Sequence, residues 1–174
     1  MSPMKLSSYV IDVPDFPRPG VVFKDITPLL AQPDAFASTV DFLARTIELS
    51  GAREIVAIES RGFIFGAAVS RQLSVPLQLV RKPGKLPRSS FHVRYELEYG
   101  SDQVEIHRDA IQPSRKYAII DDVLATGGTA AATAELITSN GGVVDCCAFV
   151  IELSELGGRQ KLSNCAVESL IKYN

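Results

Sequence analysis

Two carboxylates, two glycines and two threonines fall within nine residues, Asp121-Asp122-Val123-Leu124-Ala125-Thr126-Gly127-Gly128-Thr129. The apolar pair Ile119-Ile120 precedes them, so the acids read as the carboxyl end of a buried strand. A small-residue turn and a helix start follow. Ligands of open α/β sheets bind at that end of the strands. Successive N–H groups of Ala125 to Thr129 can converge on an anion, helped by the positive end of the helix dipole. Gly127 and Gly128 let backbone approach phosphate oxygens, and Thr126 and Thr129 add hydroxyl donors. Adjacent carboxylates suit vicinal sugar hydroxyls or a Mg²⁺ ion. The run therefore asks for a sugar phosphate, and a side chain at Gly127 is expected to crowd that phosphate. It matches neither GxGxxG nor GxxxxGK[ST], which excludes the dinucleotide and Walker readings.

Other residues carry charge or a stacking face at loops. Arg61 sits in the turn Ser60-Arg61-Gly62. Arg81-Lys82-Pro83-Gly84-Lys85-Leu86-Pro87-Arg88-Ser89-Ser90 is basic and broken by prolines and a glycine, a long exposed loop of the kind that is often functional. Glu98 lies in an alternating segment with Tyr95, Leu97 and Tyr99. Taken singly, each has an ordinary reading. Arg61 caps a turn, the basic residues form a solvated face, Phe23 is core and Glu98 is an exposed strand residue.

The elements that must position these groups alternate. Pro14, Pro17, Pro19 and Gly20 open an irregular lead, followed by the extended Val21–Ile26 and then Thr27-Pro28, expected to form an arm or hood. A helix follows Asp34 as N-cap, with Phe36, Val40, Leu43 and Ile47 on one face and Gly51 as its stop. Strand Glu54–Ile58, helix Phe63–Leu73 and strand Leu77–Val80 form one βαβ unit. Arms around Gly100-Ser101-Asp102 form a hairpin. Strand Tyr117–Ile120, helix Thr129–Ser139 and strand Val143–Ile151 form a second βαβ unit. The fold class is α/β: a mostly parallel twisted sheet flanked by helices, in a single domain over 1–174. An arm covers about 1–30 and a flexible loop and hairpin about 81–100.

Composition sets the outer limits. The 174 residues are 46% apolar and 22% charged, which excludes a disordered tail or a disulfide scaffold. Eighteen Lys and Arg against twenty Asp and Glu give a net charge of −2, so there is no global basic field for nucleic acid. Cys146, Cys147 and Cys165 lack metal-ligand spacing; the first two sit in an apolar run as small hydrophobes. His92 and His107 are read as surface or structural residues. No run is long enough to span a membrane and Met1 to Val10 lack a signal-type apolar core, so a cytoplasmic protein is expected.

The run at 119–129 resembles the phosphoribosyl-pyrophosphate (PRPP) signature of the type I phosphoribosyltransferases. Asp15–Ile26 resembles the hood of the adenine-specific branch, Glu59-Ser60-Arg61-Gly62-Phe63 its pyrophosphate turn, and Arg81–Pro87 with Leu97-Glu98-Tyr99-Gly100 its mobile loop. Glu152-Leu153 and Gly158-Arg159 resemble its C-terminal stretch. Arg88 stands where that pattern has glycine, and Val123 where it has leucine. The resemblance implies conversion of adenine and PRPP to AMP and pyrophosphate with Mg²⁺, by a cytoplasmic homodimer. Asp121 and Asp122 would meet the ribose hydroxyls, or Mg²⁺ carried by PRPP. Ala125, Thr126, Gly127, Gly128 and Thr129 would hold the 5-phosphate; Arg61, Arg81, Lys82 and Lys85 would hold pyrophosphate. Adenine would lie between Phe23 and Val123, read by backbone groups of Val22 and Lys24, with Glu98 handling the purine proton. The rival readings are a transferase for xanthine or hypoxanthine, and a non-catalytic PRPP-sensing regulator.

Overall fold

The computed structural model describes residues 4–96 and 100–174, which divide into two compact units, 1–41 and 42–174. In the first, β1 (Ile11–Pro14) pairs antiparallel with β2 (Val22–Asp25), setting Val13 opposite Phe23. The connecting turn holds Gly20 at φ +85°, with its N–H donating to Asp15 Oδ1 at 2.8 Å. Phe16 meets Phe23 edge-on, the ring centroids 5.2 Å apart. The extended Val21–Ile26 contains β2, but Thr27 and Pro28 do not continue it: they open the short helical stretch α1 (Thr27–Ala31). The Asp25 carboxylate accepts both the Thr27 N–H and its hydroxyl at 2.9 Å. Pro28 falls in the first turn, where a missing N–H costs nothing. The same reason moves the next helix start. In α2 (Pro33–Ser50) the proline is the first residue, and Asp34 lies in the first turn instead of capping it.

In the second unit, β3 (Glu54–Ile58), α3 (Gly62–Leu73) and β4 (Leu77–Val80) form the first βαβ unit. The antiparallel pair β5 (Ser90–Glu96) and β6 (Ser101–His107) follows, with Tyr95 opposite Asp102. Then come β7 (Lys116–Leu124), α4 (Gly128–Ser139), β8 (Val143–Leu153) and β9 (Ala166–Tyr173). Five strands build one all-parallel sheet in the order β4-β3-β7-β8-β9. Val56, Ile119, Cys147 and Phe149 pack with Leu136 and Ile137 of α4 and with Val104 and Ile106 of the hairpin in one buried cluster. Cys146 and Cys147 are buried hydrophobes, as their run suggests. Among the described residues no helix is long and apolar enough to cross a membrane.

Two features depart from the sequence reading. Strand β7 does not stop at Ile120 but carries both acids and Val123 inside it. Its pairing with β8 continues through Asp121–Phe149, Val123–Ile151 and Leu124–Glu152. The apolar second half of β8 thus extends a strand that reads, by its acids, as a loop. The edge strand β9 was not foreseen. Its signal is a period of two, with Val167, Ser169 and Ile171 inward between exposed Ala166, Glu168 and Lys172.

Gly66 sets how closely α3 lies on the sheet. A Cβ there would stand 2.6 Å from the Ala57 Cβ and 3.3 Å from Leu77 Cδ1. Gly66→Val forces helix and strand apart, at a cost of roughly 1–3 kcal/mol for overpacking. Thermal denaturation should give a melting temperature lower by several degrees. An unchanged melting temperature would mean that this contact does not hold the layer.

Candidate active site

The site is built at the carboxyl ends of β3 and β7. Strand pairing on both sides carries Asp121 and Asp122 to the rim of the sheet. Asp122 is only 5% exposed. Asp121 Oδ1 accepts the Asp122 N–H at 2.8 Å. The Arg61 Nε stands 2.7 Å from Asp122 Oδ2. This is a meeting of charges without hydrogen-bond alignment, since Oδ2 has no aligned donor. Burial pushes the Asp121 carboxyl well above its ordinary range, and the Asp122 charge beside it adds to the rise. Burial also raises Asp122, against the pull of Arg61. The pair is thus an acceptor set held ready in a place that penalises its charge.

Arg61 is aimed by the turn between β3 and α3, whose Glu59–Ser60 peptide is cis. Gly62 is required there, because a Cβ would come within 2.9 Å of both Asp121 Oδ1 and the Ile120 carbonyl oxygen. Beyond the acids, residues 125–129 wrap a concavity of about 90 Å³, lined also by Asp121 and Val123. Gly127 adopts φ +74° at the cap of α4. The crowding expected of a side chain at Gly127 arises first within the protein: a Cβ would run into the Gly158 carbonyl oxygen and stand 2.9 Å from the Gly158 Cα. Gly158 in turn has no room for a Cβ, which would collide with the Ala125 carbonyl oxygen. The loop therefore lies backbone against backbone on the short 3-10 turn Gly158–Leu162. Arg159 holds that turn by a forked pair of bonds to Glu152, at 2.9 and 2.6 Å, and by a bond to the Val167 carbonyl.

The basic loop packs beside the same turn. Arg81 donates through Nε and Nη2 to the two Glu59 oxygens, each at 3.3 Å, and the Lys82 N–H donates to Glu59 Oε2 at 2.8 Å. Burial works against Glu59, but these donors hold its carboxyl below the ordinary range. Lys82 Nζ pairs with Asp102 and donates to the Tyr95 hydroxyl. Arg81 and Lys85 line a shared cavity of about 240 Å³ with Leu86 and Pro87. Arg88 makes an ion pair with Asp109, so its charge ties the loop to the segment after β6.

The structure thus brings together Asp121, Asp122, Val123, Arg61 and residues 125–129, with Arg81 and Lys82 joined to them through Glu59. Val22, Phe23 and Lys24 belong to the first unit. There Phe23 packs on Phe16, and Lys24 pairs with Asp12 at 2.7 Å. Glu98 lies outside the described residues. Sequence reasoning did not single out Glu59, Asp102 or Gly158 as parts of the site. Glu59 and Gly158 stand beside Arg61 and Arg159, inside the stretches that resemble the family's pyrophosphate turn and C-terminal segment. Asp102 carries no local signal, because its partners are 20 residues away at Lys82 and seven away at Tyr95.

Comparison with known proteins gives a consistent picture. The family model of the phosphoribosyl transferase domain matches residues 29–170. The adenine phosphoribosyltransferase of Carboxydothermus hydrogenoformans is 51% identical over 170 residues, 98% of this chain and 100% of that one. A crystal structure of the adenine phosphoribosyltransferase of Thermoanaerobacter pseudethanolicus is 46% identical and superposes with a TM-score of 0.94, covering 97% of this chain and 98% of that one. The Saccharomyces cerevisiae enzyme, solved with an imino-altritol bisphosphate and adenine, is 39% identical with a TM-score of 0.88, over 95% of this chain and 96% of that one.

The acid pair predicts a pH-dependent trade between stability and binding. The folded chain holds the Asp121 proton more tightly than the unfolded one. Between the ordinary aspartate value and the raised one, the native state binds more protons, so stability falls as pH rises through that window. Asp121→Asn removes this penalty. Without ligand, the variant should melt at or above the parent at about pH 7, and the difference should shrink toward about pH 4. A variant that melts well below the parent at about pH 7 would count against the raised carboxyl.

Proposed function

The chain belongs to the adenine phosphoribosyltransferase family, and we propose that the groups at the ends of β3 and β7 carry out its reaction as follows. Adenine and PRPP give AMP and pyrophosphate, a purine-salvage pentosyl transfer. The N–H groups of Ala125 to Thr129, with the Thr126 and Thr129 hydroxyls, bind the 5-phosphate at the amino end of α4. Asp121 and Asp122 accept the ribose hydroxyls. The observation that carries this reading is Asp122 Oδ2, a buried acceptor that meets Arg61 as a charge but has no aligned donor, beside a glycine-built helix start. An added hydroxyl donor supplies what that oxygen lacks, and the same oxygen fits the hydration shell of a cation. Mg²⁺, carried in by PRPP, would supply charge neutralisation of the pyrophosphate when bound.

Arg61, Arg81 and Lys85, with Lys82, receive the pyrophosphate. Loss of that group builds cationic character at the anomeric carbon, which water would quench. The site must therefore close, and the 81–100 segment is the cover. Adenine stacks between Phe23 and Val123, with the backbone of Val22 and Lys24 reading its edge, and Glu98 accepts the purine proton. A cytoplasmic homodimer completes the proposal. The free thiols of Cys146, Cys147 and Cys165 suit a reducing compartment, and the edge strand β4 leaves Leu79 38% exposed.

The test is a purine panel with PRPP and Mg²⁺, following nucleotide and pyrophosphate. Adenine should turn over, and hypoxanthine and xanthine should be poor substrates. Glu98→Gln keeps shape and hydrogen bonding but removes the base. Its single-turnover rate with adenine should fall by roughly 10²–10⁴-fold, while PRPP affinity holds. A parental single-turnover rate removes Glu98 from the mechanism.

A further inference from the structure

Lys82, Tyr95, Asp102 and Thr129 come from the loop after β4, from β5, from β6 and from the first turn of α4. The Tyr95 hydroxyl lies at their centre, 2.9 Å from Thr129 Oγ1, 3.1 Å from Asp102 Oδ2 and 3.2 Å from Lys82 Nζ. Lys82 Nζ also pairs with Asp102 Oδ2 directly. The ring is fixed by packing as well, since a Cβ on Gly128 would stand 3.3 Å from Tyr95 Cδ2.

The inventory of protons sets the direction of each bond. An ammonium only donates and an ionised carboxylate only accepts. Burial works against ionisation of Asp102, but Lys82 and the Gln103 N–H hold its carboxyl below the ordinary range. Tyr95 has one proton, and it is donated in the hydrogen bond to Asp102. In the Tyr95–Thr129 bond the threonine must then be the donor. The Thr129 hydroxyl consequently offers the phosphate loop only lone pairs, the wrong polarity for a phosphate oxygen.

We propose that Asp102 is a positioning residue that competes with PRPP. It holds the Lys82 ammonium and, through Tyr95, turns the Thr129 proton away from the phosphate cradle. When the 5-phosphate enters, the Thr129 hydroxyl rotates to donate to it, and the Tyr95 hydroxyl rotates from Asp102 to donate to Thr129. No proton leaves the network; the Tyr95–Thr129 bond reverses. Arrival of pyrophosphate draws Lys82 from Asp102 in the same way. This inference rests on the assignment of residues 125–129 to the 5-phosphate and of Lys82 to pyrophosphate.

The signature is a gain of affinity on neutralising a side chain that touches no ligand, which a merely structural role would not give. In calorimetry, Asp102→Asn should bind PRPP and pyrophosphate roughly three- to tenfold more tightly than the parent, with the adenine KM unchanged. Tyr95→Phe keeps the ring against Gly128, frees Thr129 and leaves the direct Lys82–Asp102 pair in place. It should tighten ribose 5-phosphate and change pyrophosphate binding far less than Asp102→Asn does. The gains of the two variants on ribose 5-phosphate should combine to less than their sum, because they relieve one restraint. Unchanged or weaker PRPP binding by a folded Asp102→Asn overturns the proposal. If that variant fails to fold, a Tyr95→Phe protein with no gain for ribose 5-phosphate overturns it instead. Thr129→Val separates the two levels. Parental binding of ribose 5-phosphate by this variant removes the cradle assignment itself. Weakened binding there, with no gain in Asp102→Asn, removes only the competition.

Discussion

Two adjacent carboxylates at the buried end of a parallel strand govern the rest of the second unit. Burial raises both, and the Asp122 charge raises Asp121 further, so the chain has to supply compensation around them. One guanidinium, Arg61, supplies part of it, and it is reached only because Gly62 lets the start of α3 close onto Asp121. The extension of β7 through Leu124, paired to β8, keeps the acids from swinging out to water. The result is a charge set that is incompletely met in the free chain, which is what the proposed function requires of a seat for a hydroxylated substrate. A site of this kind costs stability in the free protein, and the apolar β7–β8–β9 core offsets it.

The loop 125–129 depends on a second constraint, the approach of two glycines. Gly127 and Gly158 have no side chains, so the loop rests on the backbone of the 3-10 turn below it. That support is itself fixed by Arg159, whose forked bonds reach the buried Glu152 on β8 and whose third bond reaches β9. Glu152 is held ionised by the same guanidinium, with burial working against it. A cradle made of N–H groups has no side chains to lock its shape. Its rigidity has to come from what lies behind it, here a charged pair anchored in the last two strands of the sheet.

The sequence reading is sharpest where chemistry is local. The run 121–129 announces a strand end, a turn and a helix start within a few residues, and the two βαβ units follow from short apolar runs between turn residues. It fails where the deciding contact is distant. The end of β7 depends on its pairing to β8, 28 residues later at Phe149, which overrides the loop-like look of two acids. Asp34 reads as a cap until Pro33 is recognised as a better first residue for the helix. β9 has a clear alternation, but it follows a stretch whose glycines and charges interrupt the apolar pattern. The partnership of Asp102 with Lys82 has no spacing rule at all, because it crosses from a loop to the far arm of a hairpin.

That partnership belongs to a wider pattern of charge. Of the cations around the site, Arg61 faces Asp122, Arg81 faces Glu59, Lys82 faces Asp102 and Arg88 faces Asp109. The anion-binding region is therefore not a bare positive patch, which agrees with a net charge of −2 over the whole chain. Under the proposed function a polyanionic substrate has to exchange with carboxylates already in place, and exchange between similar charge-assisted bonds yields far less free energy than filling an empty cationic pocket. Discrimination then rests on geometry. A ligand gains only if it meets several of these cations together while its hydroxyls satisfy the acid pair and its phosphate fits the backbone cradle. A simple anion can replace one carboxylate partner but leaves the others where they are. Pairing these four cations in the free state would, under the proposed function, make the site selective for a molecule that carries a phosphate, a diol and a diphosphate at fixed separations.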